Sequence, residues 1–255
     1  MGSPPAFSTG AQTLSAVGTV EKRRVVGVEG IQHAVAWTAA QPRLISMEHA
    51  RDEQEIGVGP HPRPWPDDDR LDPVLLAEGD RRNVVDRYRY WHVEAIVADL
   101  DRRRHPFHVA IENWRHDLNI GAVIRNANAF LAAEVHIVGR RRWNRRGAMV
   151  TDRYQHIRHH ETVGALVEWA CGEDLPLVGI DNLPGAVPLA HAEIPRACVL
   201  LFGQEGPGLS DAARAAVQAV LSIPQFGSTR SINAGVASGI AMYEWVRRYT
   251  STGCA

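Results

Sequence analysis

The sequence predicts an α/β fold: a mostly parallel sheet with helices on both faces. Three observations lead there. From residue 105 onward, short apolar runs alternate in regular order with amphipathic stretches. The runs are apolar throughout instead of alternating with polar residues, as strands buried on both faces are. A hydrophobic content of 45% over 255 residues supplies the core that a layered domain needs. In such sheets ligands gather beyond the carboxyl ends of the strands, so the chemistry belongs in the loops there.

Residues 1–20 are rich in Ser, Gly, Ala, Pro and Thr without period and read as a disordered lead. Between 21 and 56 the apolar patches, Val25-Val26, Ile31 and Ala34 to Trp37, are too brief to define an element. The run from Gly57 to Asp69 carries Pro60, Pro62, Pro64 and Pro66, which excludes a helix or central strand and reads as a linker or extended arm. Residues 1–80 are therefore expected to form an N-terminal extension, and residues 81–255 the main domain. Val84, Val85, Tyr88, Trp91, Ile96 and Leu100 recur at helical spacing and predict a leading amphipathic helix. Strands follow at Phe107–Ile111, Val135–Val138, Leu177–Ile180, Cys198–Phe202 and Val220–Ile223. Helices are expected at Ile120–Phe130, Val163–Ala170, Ser210–Val217 and Ile232–Tyr249, with Ser210 and Ser231 as N-caps.

Composition narrows the function classes. No stretch approaches the roughly 18 uninterrupted apolar residues that cross a bilayer, and the first residues lack a signal-peptide pattern, so a soluble cytoplasmic protein is expected. Cys171, Cys198 and Cys254 are odd in number and share no C-x-x-C spacing, against a disulfide framework or a cysteine-rich zinc site. The net charge of -1 conceals a segregation: residues 101–160 hold 12 basic and 5 acidic side chains, a local charge of +7. All but one of the 28 basic residues are arginines, Lys22 being the exception. A preference for arginine codons explains that usage but not the clustering. Arg140, Arg141, Arg142, Arg145 and Arg146, interleaved with Trp143, read as a surface for a polyanion, RNA in particular. His156, His159 and His160 lie nearby without a second cluster at ligand spacing, so they are expected at the surface or against RNA, and no metal site is expected.

Three strand-to-helix loops carry the functional signal. In the first, Asn119 precedes Gly121 and Arg125; alone, an ordinary cap and a snorkelling arginine would explain it. In the second, Phe202-Gly203-Gln204-Glu205-Gly206-Pro207-Gly208, three glycines frame Glu205, yet neither a G-x-G-x-x-G nor a P-loop pattern is present. In the third, from Ile223-Pro224 to Ser231-Ile232-Asn233, the small residues Ala234, Gly235, Ala237 and Gly239 make a costly helix start. Something must approach that backbone closely, and a tight helix contact is one candidate.

Together and in this order, the loops resemble the SpoU/TrmH family of RNA 2′-O-ribose methyltransferases. The pattern N-x-G-A-x-x-R-x-A is met from Asn119 to Ala127, F-G-x-E-x-x-G-L from Phe202 to Leu209, and I-P with S-[LI]-N-x-x-x-A by Ile223-Pro224 and Ser231 to Ala237. The resemblance implies an S-adenosylmethionine-dependent enzyme whose C-terminal part forms a deep trefoil knot, an exception to the rule that chains avoid knots. It implies cofactor contacts from Phe202, Gly203, Gly208, Ile223 and Ile232, and catalytic or orienting roles for Asn119, Arg125, Glu205, Ser231 and Asn233. It also implies a homodimer through the knot region. Ile232 stands where the family usually has leucine, a nearly isosteric change. A compact chain without a recognisable ribosome-binding extension favours tRNA over ribosomal RNA. The competing readings are a non-catalytic RNA-binding protein that retains the fold, and an enzyme that methylates a base or a protein.

Overall fold

A computed structural model describes residues 57–114 and 119–250. The expected disordered lead and the patches before residue 57 lie outside these residues.

Seven parallel strands form one sheet in the order β3-β2-β1-β6-β4-β7-β5. They are β1 (Phe107–Asn113), β2 (Val135–Gly139), β3 (Ile157–His160), β4 (Leu177–Ile180), β5 (Val187–Pro188), β6 (Cys198–Phe202) and β7 (Ala219–Ser222). Alternate residues of the central strands β1 and β6 serve two cores, as the two-residue period of a pleated strand requires. On one face Phe107, Val109 and Ile111 pack with α3 (Ile120–Ala129) and α6 (Ala234–Tyr249), where Trp245 lies against Phe107 at 4.5 Å between ring centroids. On the other, Ala110, Val199 and Leu201 pack with α4 (Val163–Gly172) and α5 (Asp211–Ala216).

Caps fix where the helices begin. Thr162 and Ser210 accept the amides of Ala165 and Ala213 at the starts of α4 and α5, each at 3.1 Å. The expected Ser231 cap is displaced: α6 starts two residues later with Asn233 as N-cap, its Oδ1 accepting the Val236 amide at 3.2 Å. The cause is the helix contact that the small residues permit. Asn126 of α3 donates to the Gly235 carbonyl at 2.8 Å and to Ser238 Oγ at 3.0 Å. A Cβ on Gly235 would meet Ala122 Cβ at 2.8 Å, so any larger residue would push α3 and α6 apart.

The leading segment is not one helix. A 3-10 turn at Asp86–Tyr88 is followed by Tyr90, whose φ of +65° lies in the left-handed region, and α2 (Val93–Asp101) starts afresh. Asp80 stabilises the break. Fully buried, it accepts the Tyr90 amide at 3.0 Å and both prongs of the Arg82 guanidinium at 2.8 and 2.7 Å. The Val58–Asp80 and Leu71–Trp91 bridges knit residues 57–92 together across position 80, with α1 (Pro73–Glu78) inside the same unit. The proline run from Gly57 forms neither helix nor strand beyond its single bridging residue.

Candidate active site

All seven strands run the same way, so the loops after β1, β4 and β6 and the one after β7 open at the same edge of the sheet. The loops after β4, β6 and β7 enclose a cavity of about 540 Å³. Its walls include Phe202, Gly203, Glu205, Gly208, Ile223, Ser231, Ile232 and Asn233, which brings eight of the residues singled out from the sequence into one place.

The β6 loop is tight by construction. Gln204 and Gly208 exchange both backbone hydrogen bonds, at 3.1 and 3.0 Å, and Gly206 and Gly208 adopt φ of +90° and +71°. Behind them, a Cβ at Gly203 would stand 2.1 Å from the Gly208 carbonyl carbon. Only glycine fits there. Two carboxylates hold the loop's exit. Asp181, just past β4, accepts the Leu209 amide at 2.8 Å, and Glu112 of β1 accepts the Ser210 amide at 2.8 Å and the Trp114 indole at 2.7 Å. Sequence reasoning missed Asp181, although its place directly after the expected strand Leu177–Ile180 marks it as a cavity residue.

One directional hydrogen-bond relay joins the three loops. The Val236 amide can only donate, so Asn233 turns Oδ1 to it and Nδ2 toward Asn119 Oδ1, at 2.7 Å. Asn119 then turns its own Nδ2 to Glu205 Oε2, at 2.7 Å. Helix amide at one end and carboxylate at the other leave each carboxamide a single orientation. Asn119 is 6% exposed, whereas Glu205 and Asn233 are exposed toward the cavity.

Arg125 stands apart from that cavity. It lies exposed in an adjoining groove of about 530 Å³ with Ala122, Asn126, Gly147 and Val236, and Asn233 borders both spaces. Arg125 makes no ion pair among the described residues. The expected arginine surface continues from this groove: Arg140, Arg141, Arg142, Arg145 and Arg146 are all exposed in the segment after β2. Arg145 pairs with Asp152 at 3.5 Å and its guanidinium lies 5.7 Å from the Trp143 ring centre. Buried Asn113 holds the segment by donating to the carbonyls of Arg140 and Arg142 at 2.6 and 3.0 Å. The following turn, Arg145–Ala148, presses on α3 so closely that a Cβ at Gly121 would meet the Ala148 nitrogen at 2.5 Å.

The histidines need correction. His156 is exposed and bound to Asp101 at 2.8 Å, and His159 bonds the Gly139 carbonyl at 2.6 Å. His160 is not a surface group: it is 6% exposed and bonded to His136, because alternate residues of β3 face the core under α4.

Sheet order, glycine-bound loop and cavity define a ligand-binding α/β domain with its site at the carboxyl edge. The chain belongs to the SpoU rRNA methylase family, whose model matches residues 106–243. It is 29% identical over 161 residues to the tRNA (guanosine(18)-2′-O)-methyltransferase of Escherichia coli K12, covering 62% of this chain and 70% of that protein. To an uncharacterized tRNA/rRNA methyltransferase of Mycobacterium sp. strain KMS it is 33% identical over 222 residues, covering 84% of this chain and 69% of that one. The SpoU methyltransferase AviRb from Streptomyces viridochromogenes, solved with AdoMet, superposes with a TM-score of 0.54 at 27% identity, covering 60% of this chain and 62% of that one.

Proposed function

We propose that this protein transfers a methyl group from S-adenosylmethionine to a ribose 2′-hydroxyl of RNA, with tRNA as the preferred substrate. The relay carries the reading: it ties the cofactor-side loop at Glu205, through Asn119 and Asn233, to the groove that holds Arg125.

The cavity suits the cofactor. Its volume falls within the roughly 300–1,000 Å³ of small-molecule sites. Carboxylates of Asp181 and Glu205 and guanidiniums of Arg214 and Arg230 line it, matching a ligand with both a carboxylate and cationic centres. Phe202, Ile223 and Ile232 add apolar wall beside the open backbone of Gly203 and Gly208. When bound, the cofactor supplies an electrophilic methyl on a sulfonium.

The remaining work falls to the chain. Displacement at that methyl demands alignment, and positioning of this kind accounts for a large part of such rate enhancements. A guanidinium titrates above about 12, which makes Arg125 a poor general base. Its role is to bind the neighbouring 3′ phosphate and stabilise negative charge growing on the 2′-oxygen, while the proton leaves to that phosphate or to water. Asn119, Glu205, Ser231 and Asn233 orient the ribose and the loops. The arginines from Arg140 to Arg146 take RNA phosphates, so binding weakens steeply with salt.

The proposal extends to assembly. Val236, Ile240 and Tyr243 recur along one face of α6 at 55%, 39% and 57% exposure, beside Arg125 and its groove. A homodimer that covers this face would complete the site. Residues 81–255 form the catalytic domain in this reading, with residues 1–80 as its extension. No described helix is long and apolar enough to cross a membrane, and a substrate of this kind places the protein in the cytoplasm.

The test is methyl transfer from labelled S-adenosylmethionine to tRNA and ribosomal RNA transcripts, with nuclease-resistant dinucleotides as the signature of ribose methylation. Absence of cofactor binding by calorimetry would overturn the reading.

A further inference from the structure

At the amino-terminal end of the sheet, away from the cofactor loops, β1 and β2 bring together polar groups that the methylation site does not use. His108 Nδ1 lies 3.0 Å from His136 Nε2, and Glu134 Oε2 lies 3.9 Å from that same nitrogen. The three ligand atoms all fall within 4.8 Å of one another. Register explains the meeting. Val109 pairs with Val135, so His108 and Glu134 are level on neighbouring strands, and His136 follows two residues along on the same face.

We propose that His108, His136 and Glu134 bind a divalent transition-metal ion of the zinc type. Two imidazoles and a carboxylate form a zinc donor set with a fourth position left for water. Bonds of about 2.0–2.1 Å in tetrahedral geometry separate ligand atoms by about 3.3 Å. The spacings of 3.0 and 3.9 Å bracket that value, so small ring and carboxylate rotations suffice.

The surroundings are those of a metal site. Metal-ligating histidines normally engage their second ring nitrogen, and ligating carboxylates are themselves hydrogen-bonded. His136 Nδ1 is bonded to His160 Nε2 at 3.0 Å, which leaves Nε2 to face the ion. Both Glu134 oxygens accept from Arg158 Nε at 3.2 Å. Trp169 closes the face with its ring centre 4.1 Å from that of His136, and the Arg158 guanidinium lies 5.4 Å from the same ring centre. The positive charge of Arg158 opposes the ion, and the Glu134 carboxylate offsets it. Entry is from the side of His108 and Glu134, which are only partly buried.

The alternative is a histidine row bonded to itself with no ion, and titration separates the two. Chelator-treated full-length protein carrying Cys171→Ser and Cys254→Ser, so that neither of these thiols competes, is titrated with Co²⁺ and, in competition with a chromogenic chelator, with Zn²⁺. One equivalent with the visible absorption of tetrahedral cobalt is expected, together with a metal-dependent rise in the thermal midpoint. His108→Ala and Glu134→Gln should each weaken binding at least tenfold while metal-free folding, read by circular dichroism, persists. His160→Gln, which touches only the outer contact, should cost about 10–100-fold. No stoichiometric binding by the parent protein, or unchanged affinity in His108→Ala, would overturn the assignment.

Discussion

Replacing Asn119 with aspartate changes one atom of the relay and inverts one of its contacts. The introduced carboxylate still accepts from Asn233 Nδ2, but opposite Glu205 a donor 2.7 Å away becomes a second negative charge. A hydrogen bond to a charged partner contributes about 1.5–3 kcal/mol, which is lost. Two like charges at that separation repel by about 1.5 kcal/mol in water and about 6 kcal/mol at an effective dielectric of 20. Glu205 is solvent-exposed, so the lower figure governs. The sum is about 3 kcal/mol or slightly more, on the order of a 100-fold fall in kcat/KM. Initial rates of methyl transfer to a tRNA transcript measure it, with the thermal midpoint as a control for folding. The decisive arm is Asn119→Asp combined with Glu205→Gln, which rebuilds the bond with donor and acceptor exchanged; it should recover at least tenfold over the single Asn119→Asp variant. If Asn119→Asp stays within threefold of the parent, or the pair is no better than the single change, the relay does not organise the site.

Other substitutions separate the parts of the molecule. Arg125→Ala should retain cofactor binding by calorimetry and lose on the order of 100-fold or more in turnover, since Arg125 lies outside the cofactor cavity; unchanged turnover would discard its role. Gly203→Ala drives a methyl into the Gly208 backbone, so cofactor affinity should drop at least tenfold and stability by about 1–3 kcal/mol in denaturant titration. Tyr243→Glu puts a charge on the exposed face of α6 and should yield monomers in analytical ultracentrifugation if that face is the interface. Burial raises the Asp80 carboxyl's pKa, but the Arg82 fork and the amides of Tyr90 and Arg82 together bring it from 3.8 to about 2. Its folded value being the lower one, the stabilisation of about 2.5 kcal/mol is present above pH 4 and lost as pH falls toward 2; Asp80→Asn should flatten that slope in acid unfolding.

How much of this was readable depended on whether the signal was local. Strands such as Leu177–Ile180 and Cys198–Phe202 are continuous apolar runs, and their observed bounds coincide with those expected. The three loops were legible because glycine, asparagine and a charged residue recur at spacings that a plain turn does not need. The edge strand β3 was not: Ile-Arg-His-His has no apolar run, and only its pairing with β2 makes it a strand. The leading helix misled because Val84 to Leu100 keeps a helical period while Tyr90 turns left-handed, held by Asp80 ten residues earlier. Ser231 and Asn233 are equally good caps by residue type, and the packing of Gly235 on α3 goes with a helix start at Asn233. The histidine row spans separations of 28 and 24 residues, beyond any ligand-spacing pattern, and strand register alone assembles it.

The anchoring of the segment after β2 has an evolutionary corollary. Asn113 grips it through main-chain carbonyls, which every amino acid offers alike. Positions 140 to 142 can therefore exchange side chains, and with them the shape or charge of the nucleic acid that they suit, while the path of the chain stays fixed. Specificity could drift here at little cost to the fold, whereas losing one buried carboxamide on the neighbouring strand would unfasten the whole stretch.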